Sequence, residues 1–558
     1  MPPLLAVGLA IATRRVVLSL LASVVAGCLI LTVGGSSGGF FAGVLDFFHL
    51  LWDFIWNALP GDPDRRMVTA FSLFMGAMIG VIHKSGGMQG LVDLLRPLAS
   101  NRRRGQLTSW LMGMIIFFDD YANTLLLGQT MRPVTDRLRI SREKLAYIVD
   151  STAAPIAGVS LLSTWVATEI KLIGDGYADA QFPPEEYSAF SIFLLTIPLR
   201  FYPIWAFLFV MLVAATRRDF GPMLSAERRA IAGNIGSEDA HLESSEALRP
   251  DADVQGRWHI AVVPIVAMIL MVMTIIYLTG VATTNNAHAG ETGYTPSLQE
   301  IVGNGNAYVA LLLGSATGFL IAVRMAIHNR TLNDRQLVAA SVSGARVMLL
   351  ALAILWLAWA LGDITRAPST GAAATSRLAT ADYLSSLIRD GNISGVWMPT
   401  TIFLLAAFIS FCTGTSWGTM TILMPLAIQT TYQVLGGQQA NIPADHPIML
   451  ASVGSVLGGS IFGDHCSPIS DTTVLSSRSS GCNHIAHVRT QMPYALLVGT
   501  VSIVFGTIPA AYGISPWILL PTGLIVLWVF LRCFGRDAEA AVFNPAQKWS
   551  LKRRSKRR

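Results

Sequence analysis

Four stretches of the sequence set carboxylate, hydroxyl and amide side chains inside otherwise apolar surroundings. They are Phe118-Asp119-Asp120-Tyr121-Ala122-Asn123-Thr124, Asp150-Ser151-Thr152-Ala153-Ala154-Pro155, Thr413-Gly414-Thr415-Ser416-Trp417-Gly418-Thr419, and the run from Gly463-Asp464-His465-Cys466-Ser467 through Ser470-Asp471-Thr472. A carboxylate in apolar surroundings is costly unless it is paired, hydrated or protonated. One that can hold either a proton or a metal cation can exchange the two, because burial favours the proton and a nearby cation displaces it. Asp119, Asp120, Asp150, Asp464 and Asp471 are placed for that work. Asp119 and Asp120 are adjacent, so their protons are expected to come off as a pair, although one of them also suits a helix cap. Side-chain oxygens of Asn123, Thr124, Ser151, Thr152, Thr415, Ser416, Thr419, Ser467, Ser470 and Thr472 complete a candidate ion-binding set. A hard cation such as sodium takes oxygen ligands of this kind, by extension from the divalent hard cations. The competing reading is that Ser and Thr in membrane helices bond their own backbone. His465 titrates near neutral pH when unperturbed; it is a candidate pH sensor or an ordinary hydrogen-bonded histidine. Trp165 and Trp417 would line a solute pocket or fill the core. Asp464, His465, Cys466, Cys482 and His484 fit no zinc spacing.

The chain that positions these groups has 558 residues, 52% of them hydrophobic and 13% charged, with a mean hydropathy of +0.52. That is about half the charge of a soluble domain. The apolar content excludes disorder, and size with five cysteines excludes a disulfide scaffold. A polytopic membrane protein remains. The formal charge of +6 then reflects arginines holding loops on the cytoplasmic side and does not call for nucleic acid.

Spans are read at about 16–34, 68–83, 145–170, 189–215, 259–280, 307–326, 346–363, 447–475, 493–512 and 515–532. Segment 108–131 conflicts with a single crossing. Arg102, Arg103 and Arg104 precede it and Arg132, Arg137, Arg139 and Arg142 follow it, so both flanks belong on one side. A re-entrant hairpin resolves this, with two arms of about ten residues, roughly 15 Å each, and the Asp119-Asp120 tip near the midplane. Segment 399–434 reads as a second hairpin with its tip at 413–419. Residues 38–58 read as lying along the outer surface; an eleventh span is the alternative. Each hairpin is followed by a span carrying Asp, hydroxyls and Pro, where a broken helix is expected. The order repeats with opposite starting sides, which is the pattern of an inverted-repeat transporter. The expected fold is therefore an all-α polytopic membrane protein of about ten transmembrane helices and two hairpins. Residues 1–215 form the first half and 307–512 the second. Residues 216–306 hold a polar cytoplasmic linker and the connecting helix 259–280, and 513–558 the last helix and a basic cytoplasmic tail. The tail would meet anionic lipid headgroups. Asn392-Ile393-Ser394 is a sequon, relevant only in a secretory pathway.

The strings FFDDYANTLLLGQTMRP, DSTAAPIAGVSLLSTW, GTSWGTM and FGDHCSPISDTTVLSS resemble those of the NhaC-type sodium/proton antiporter family, in the ion transporter superfamily, over about 65–530. The resemblance implies that hairpin tips and unwound helices bind substrate and sodium. It implies a secondary active transporter, not an enzyme, exchanging sodium for protons by alternating access in a bacterial inner membrane. The alternative on the same fold is a sodium- or proton-coupled carrier of a small organic acid or amino acid. No ATP-binding P-loop is present in the sequence, so ion gradients would drive transport. No cofactor beyond sodium ions and protons is expected, and no nucleic acid; the sequence leaves the oligomeric state open, a homodimer included. Both termini are expected in the cytoplasm. Cysteines introduced at 103 and 137 should then react with an impermeant thiol reagent from the cytoplasmic side only, and one at 178 from outside only. Opposite sidedness of 103 and 137 would remove the first hairpin.

Overall fold

A computed structural model describes residues 2–13, 15–35, 40–59, 61–182, 187–235, 256–287, 304–365 and 394–540, with Leu298 and Ile301. The basic tail 548–558, most of the linker (236–255) and Asn392-Ile393 of the sequon lie outside the described residues. The chain begins with α1 (Pro2–Thr13), α2 (Val16–Gly35), α3 (Phe40–Asn57), α4 (Pro63–Lys84), α5 (Gly87–Leu95), α6 (Arg102–Ile115), α7 (Asp120–Arg137), α8 (Arg142–Ala157), α9 (Val166–Asp179), α10 (Ala189–Thr196) and α11 (Phe201–Thr216). After α12 (Gly221–Ile231) and α13 (His259–Ala287) come α14 (Ala307–His328), α15 (Asp334–Thr365), α16 (Met398–Thr413), α17 (Ser416–Val434), α18 (Pro447–Cys466), α19 (Asp471–Ser479) and α20 (His484–Val501). The chain closes with α21 (Ile508–Ala511) and α22 (Pro516–Phe534). Two-residue strands, Arg218–Asp219 and Arg536–Asp537, pair antiparallel and tie the end of α11 to the end of α22.

Among the described residues eight helices are long and apolar enough to cross a membrane, or nine if the pair 189–199 and 201–216, bent by 47°, is one span. Segment 16–34 forms a shorter apolar helix, 17–33. Segment 145–170 is two helices with eight irregular residues between them. Segment 38–58 is helical from Phe40 to Asn57 and is not among the eight. Leu45, Phe48, Trp52 and Trp56 are exposed on it, while Leu51, Phe54 and Ile55 pack inward. The backbone carbonyl of Ile55 accepts the Trp356 indole N–H at 2.6 Å.

Both hairpins are present. Arg102 at the start of the first donates to the carbonyls of Leu138 and Arg139 beyond its end, so the two flanks meet. A Cβ built on Gly395 would lie 2.9 Å from Leu435, so the second hairpin also starts and ends in one place. Their arms are longer than expected: 14 and 18 residues in the first, 16 and 19 in the second. At 1.5 Å per residue that is about 21–28 Å, well past half the hydrocarbon thickness.

Helices α2, α4, α13, α14 and α15 pack together as one group. Lipid tails are as apolar as Leu, so close backbone approach holds such helices. Gly76 and Gly80 of α4 face Ala340 and Gly344 of α15. A Cβ on Gly80 would stand 2.3 Å from the Ala340 carbonyl oxygen, and one on Gly344 2.1 Å from that of Gly76. At the Arg65 end of this crossing, Arg65 binds Asp363 through both terminal nitrogens, at 2.7 and 2.8 Å. Lys171 of α9 reaches Asp62 at 2.7 Å and Asp175 at 3.0 Å.

In the rest of the bundle several packing pairs of the N-terminal helices recur among the C-terminal ones. α8 receives α6 and α7, as α18 receives α16 and α17. α19 packs on α7, and α9 on α17. α11 touches both α8 and α18, and so does α20. Gly80→Val should lower expression and the thermal midpoint of the purified protein by a cost of about 1–3 kcal/mol. Gly362→Ala on α15, where a new Cβ meets nothing within 4 Å, should change neither.

Candidate ion-binding site

The first hairpin turns at 116–119, and the second at Gly414-Thr415. Gly414 has φ +71°, and a Cβ there would stand 2.5 Å from the Ile469 carbonyl oxygen, so a side chain at this turn is both strained and obstructed. Asn123 holds the first turn closed. Its amide donates to the carbonyls of Gly113 at 2.7 Å, Ile116 at 3.1 Å and Thr152 at 3.0 Å.

The helix breaks follow from competing hydroxyls. α8 runs through Pro155 to Ala157, so the first break lies at 158–165 and not at Asp150–Pro155 as the sequence suggested. A proline within a helix is tolerated when its surroundings satisfy the freed carbonyl. The chain leaves the helix where Ser163 donates to the Ala157 carbonyl at 2.8 Å and accepts the Trp165 N–H at 3.2 Å. The second break, Ser467–Ser470, lies where expected. Ser467 donates to the Phe411 carbonyl at 2.7 Å, and Ser470 caps α19 by accepting the Thr473 N–H. Each break is bonded to a hairpin turn: Thr164 N–H donates to the Phe118 carbonyl at 2.9 Å, and Asp471 N–H to the Gly414 carbonyl at 3.2 Å.

The carboxylates converge on this junction. Asp120 is fully buried, and the Trp165 indole is the side-chain donor beside it. Asp119 accepts from the Thr164 hydroxyl at 3.2 Å. Asp464, also fully buried, accepts from the Thr472 hydroxyl at 2.6 Å through one oxygen, and its other oxygen is unpartnered. Half-buried Asp471 accepts the Tyr121 hydroxyl at 2.6 Å and the Thr472 N–H at 2.8 Å. Among the described residues no Lys or Arg forms an ion pair with Asp120, Asp464 or Asp471. Asp150 adjoins them, since the Thr473 hydroxyl lies between it and the Asp464 carbonyl. It accepts from Gln491 at 2.5 Å and Thr473 at 3.1 Å, with His487 at 3.4 Å.

The hydroxyls divide. Those of Thr124, Thr152 and Thr419 donate to carbonyls of their own helices, which leaves only lone pairs to offer. Thr415 caps α17 through the Gly418 N–H. Ser416 is buried with no partner. Ser151 is buried on α8, one residue beyond Asp150. His465 shares a hydrogen bond with the Tyr202 hydroxyl at 2.9 Å, and its other ring nitrogen is unpartnered. Trp165 and Trp417 meet edge to face, 5.2 Å between centroids, both largely buried. Among the described residues no three His, Cys, Asp or Glu side chains are grouped to hold a metal. A cation here would draw on hydroxyl and carbonyl oxygens as well.

A cleft reaches the first tip between α4 and α15, lined by Gly80, His83, Asp119, Tyr121, Leu125 and Val347 among others. Its volume open to a water-sized sphere is about 40 Å³, room for about three waters.

Sequence reasoning missed Tyr121 as a ligand to Asp471, and Thr164, His487, Gln491, Arg200 and Glu169. His487 and Gln491 lie four apart on one helix face, a spacing visible in the sequence but without meaning until Asp150 is known to face it.

The model of the Na+/H+ antiporter family matches residues 156–508. The chain belongs to that family. It is a secondary transporter and an integral membrane protein. A Haemophilus influenzae protein, itself uncharacterised, is 32% identical over 502 residues, covering 90% of this antiporter-family chain and 88% of that one. The malate-2H(+)/Na(+)-lactate antiporter of Bacillus subtilis is 30% identical over 159 residues, 24% of this chain and 32% of that. The fold resembles that of the YdaH transporter of Alcanivorax borkumensis, with a TM-score of 0.57 at 14% identity, covering 92% of this chain and 98% of that one.

Because Asn123 closes three backbone carbonyls in the interior of this antiporter-family fold, Asn123→Ala should destabilise it by about 1–3 kcal/mol. Thr124→Ala, which loses only a bond to its own helix, should cost less than about 1 kcal/mol. Thermal midpoints of the two purified variants check the contrast; equal losses would deny Asn123 that role.

Proposed function

We propose that the protein exchanges sodium ions for protons by alternating access across a bacterial cytoplasmic membrane, with both termini inside. The observation that carries this reading is Asp120: a fully buried carboxylate that no Lys or Arg pairs with among the described residues, beside Asp464 and Asp471 at the meeting of a hairpin tip and a helix break. Such a group is stable only protonated or beside a cation. Asp464, Asp471 and Asp120, with oxygens from Thr472, Ser470 and the break, form the proposed sodium site. Asp119, already bonded to Thr164, is the less exchangeable of the adjacent pair. Ser416, Thr415, Thr419, Asn123, Thr124, Ser467, Ser151 and Thr152 line or shape it, and Asp150 with His487 and Gln491 anchors α8 to the second half. The duplicated packing supports two inverted halves, residues 1–215 and 307–512. Apart from sodium and protons, only membrane lipids are proposed as partners, and no cofactor or catalytic role.

The second reading, a carrier for a small organic acid, is favoured by one observation. The Trp165–Trp417 pair offers aromatic edges, and the Trp417 indole N–H is unpartnered; the B. subtilis relative is named for malate and lactate. Proteoliposomes separate the two: sodium-driven proton flux without organic solute supports exchange, and flux only when solute is added supports the carrier.

At a carboxylate that holds one ion or the other, raising the pH removes the competitor. Apparent sodium affinity should therefore rise from pH 6 to pH 8. Asp471→Asn should weaken sodium dependence more than expression. Sodium affinity that is flat across this range, in active wild-type protein, overturns the exchange reading.

A further inference from the structure

The two helix breaks are built alike but charged differently. At the first, the Arg200 guanidinium is fully buried. It donates to the Gly158 carbonyl, the first beyond the end of α8, and to Glu169 in the first turn of α9 at 2.7 Å. It also donates to the Thr196 hydroxyl at 3.2 Å and stacks over Phe193 at 4.8 Å. One cation on the chain thus bridges both sides of the break and is neutralised there by one carboxylate. At the second break a carbonyl in the last turn of α18, that of His465, accepts from Gln491 at 3.1 Å. That donor is a neutral amide. The same amide also donates to Asp150 at 2.5 Å. Asp464 and Asp471 stand on the two sides of this break, and one Asp464 oxygen is unpartnered.

Arginine is charged at every working pH and offers a fixed fork of donors. Removing it from water leaves it no option but to keep these acceptors. A free sodium ion at the first break would compete with a guanidinium that cannot dissociate. We propose that Arg200 is a tethered cation that permanently fills the first break, so that the transported cation is taken at the second break alone, one per chain. This rests on the sodium reading given above.

Sodium binding to the purified full-length protein in nanodiscs, by titration calorimetry in choline-balanced salt, should give one site per chain. Sodium-dependent transport should show a Hill coefficient near 1, and Asp471→Asn should lose the site. Two sodium ions per chain, or a Hill coefficient near 2, overturns the proposal while leaving sodium exchange intact. No sodium binding up to 0.5 M overturns the sodium reading and this proposal with it. A second measurement uses Arg200→Gln, which leaves Glu169 facing an empty carbonyl end. A ligand that binds the folded state raises its stability as its concentration rises. The gain in thermal midpoint between 10 and 300 mM sodium, against potassium, should be larger in Arg200→Gln than in wild type, and Glu169→Gln added to it should abolish the excess. An equal gain in both proteins overturns the proposal. Should Arg200→Gln fail to fold, the stoichiometry decides.

Discussion

Inside a bilayer a backbone N–H or C=O that leaves the helical ladder has no water to turn to. That constraint organises the centre of this molecule. Two hairpin turns and two helix breaks each expose polar backbone, and each is satisfied by another irregular segment. Thr164 N–H closes the Phe118 carbonyl, and Asp471 N–H the Gly414 carbonyl. Asn123 closes three more carbonyls, and the Ser467 hydroxyl closes Phe411. The segments therefore gather because none is tolerable alone. Their gathering is what sets Asp119, Asp120, Asp464 and Asp471 within reach of one another.

Charge is distributed accordingly. Arg65 and Lys171 lie at one end of the bundle with Asp62, Asp175 and Asp363. Arg102, Lys144 and Arg229 pair with Glu227, Asp219 and Glu143 in another cluster, around the base of the first hairpin. Such pairs are weak arguments for stability, because desolvation offsets most of the attraction; their value here is in fixing which elements meet. Between the clusters Arg200 is the arginine buried at a helix break, and its charge is answered by Glu169. Among the described residues no Lys or Arg pairs with Asp464 or Asp471 at the other break.

Much of this was legible in the residues. The arginines on both flanks of 108–131 required a hairpin, and Arg102 does bond the backbone beyond its other end. Ser467-Pro468-Ile469-Ser470 announced a break because two serines and a proline each weaken a helix in a distinct way. The first break was misplaced at Pro155, since a single proline kinks a helix without ending it when neighbouring groups take up the freed carbonyl. The decisive signal was the hydroxyl run Ser160, Ser163 and Thr164, which looked like ordinary helix decoration. Arm lengths were underestimated because Arg102–Leu107 and Arg132–Arg137 were read as flanking loop, whereas the arms continue through them. The pairs Arg200–Glu169, Tyr121–Asp471 and Asp150–His487 were illegible. Their members lie 31 to 350 residues apart, and no local pattern links them.

The last of those pairs has a consequence for how the molecule works. Asp150 of the first half is held by Thr473, Gln491 and His487 of the second. Asp471 of the second half is held by Tyr121 of the first, and Trp165 meets Trp417 across the same boundary. The proposed site therefore draws on residues from both ends of the chain. An ion that touches Asp464, Asp471 and Asp120 together would bridge α18, α19 and the first hairpin, so its binding free energy favours whichever arrangement keeps them joined. A proton on any one carboxylate neutralises that group alone and bridges nothing. The two occupants would therefore differ in how they bias the contact between the halves, beyond the charge they share, and differential bias of this kind is what a ligand needs to shift a conformational equilibrium. Exchange between them at one junction is then sufficient to tie the position of the hairpin to the identity of the ion.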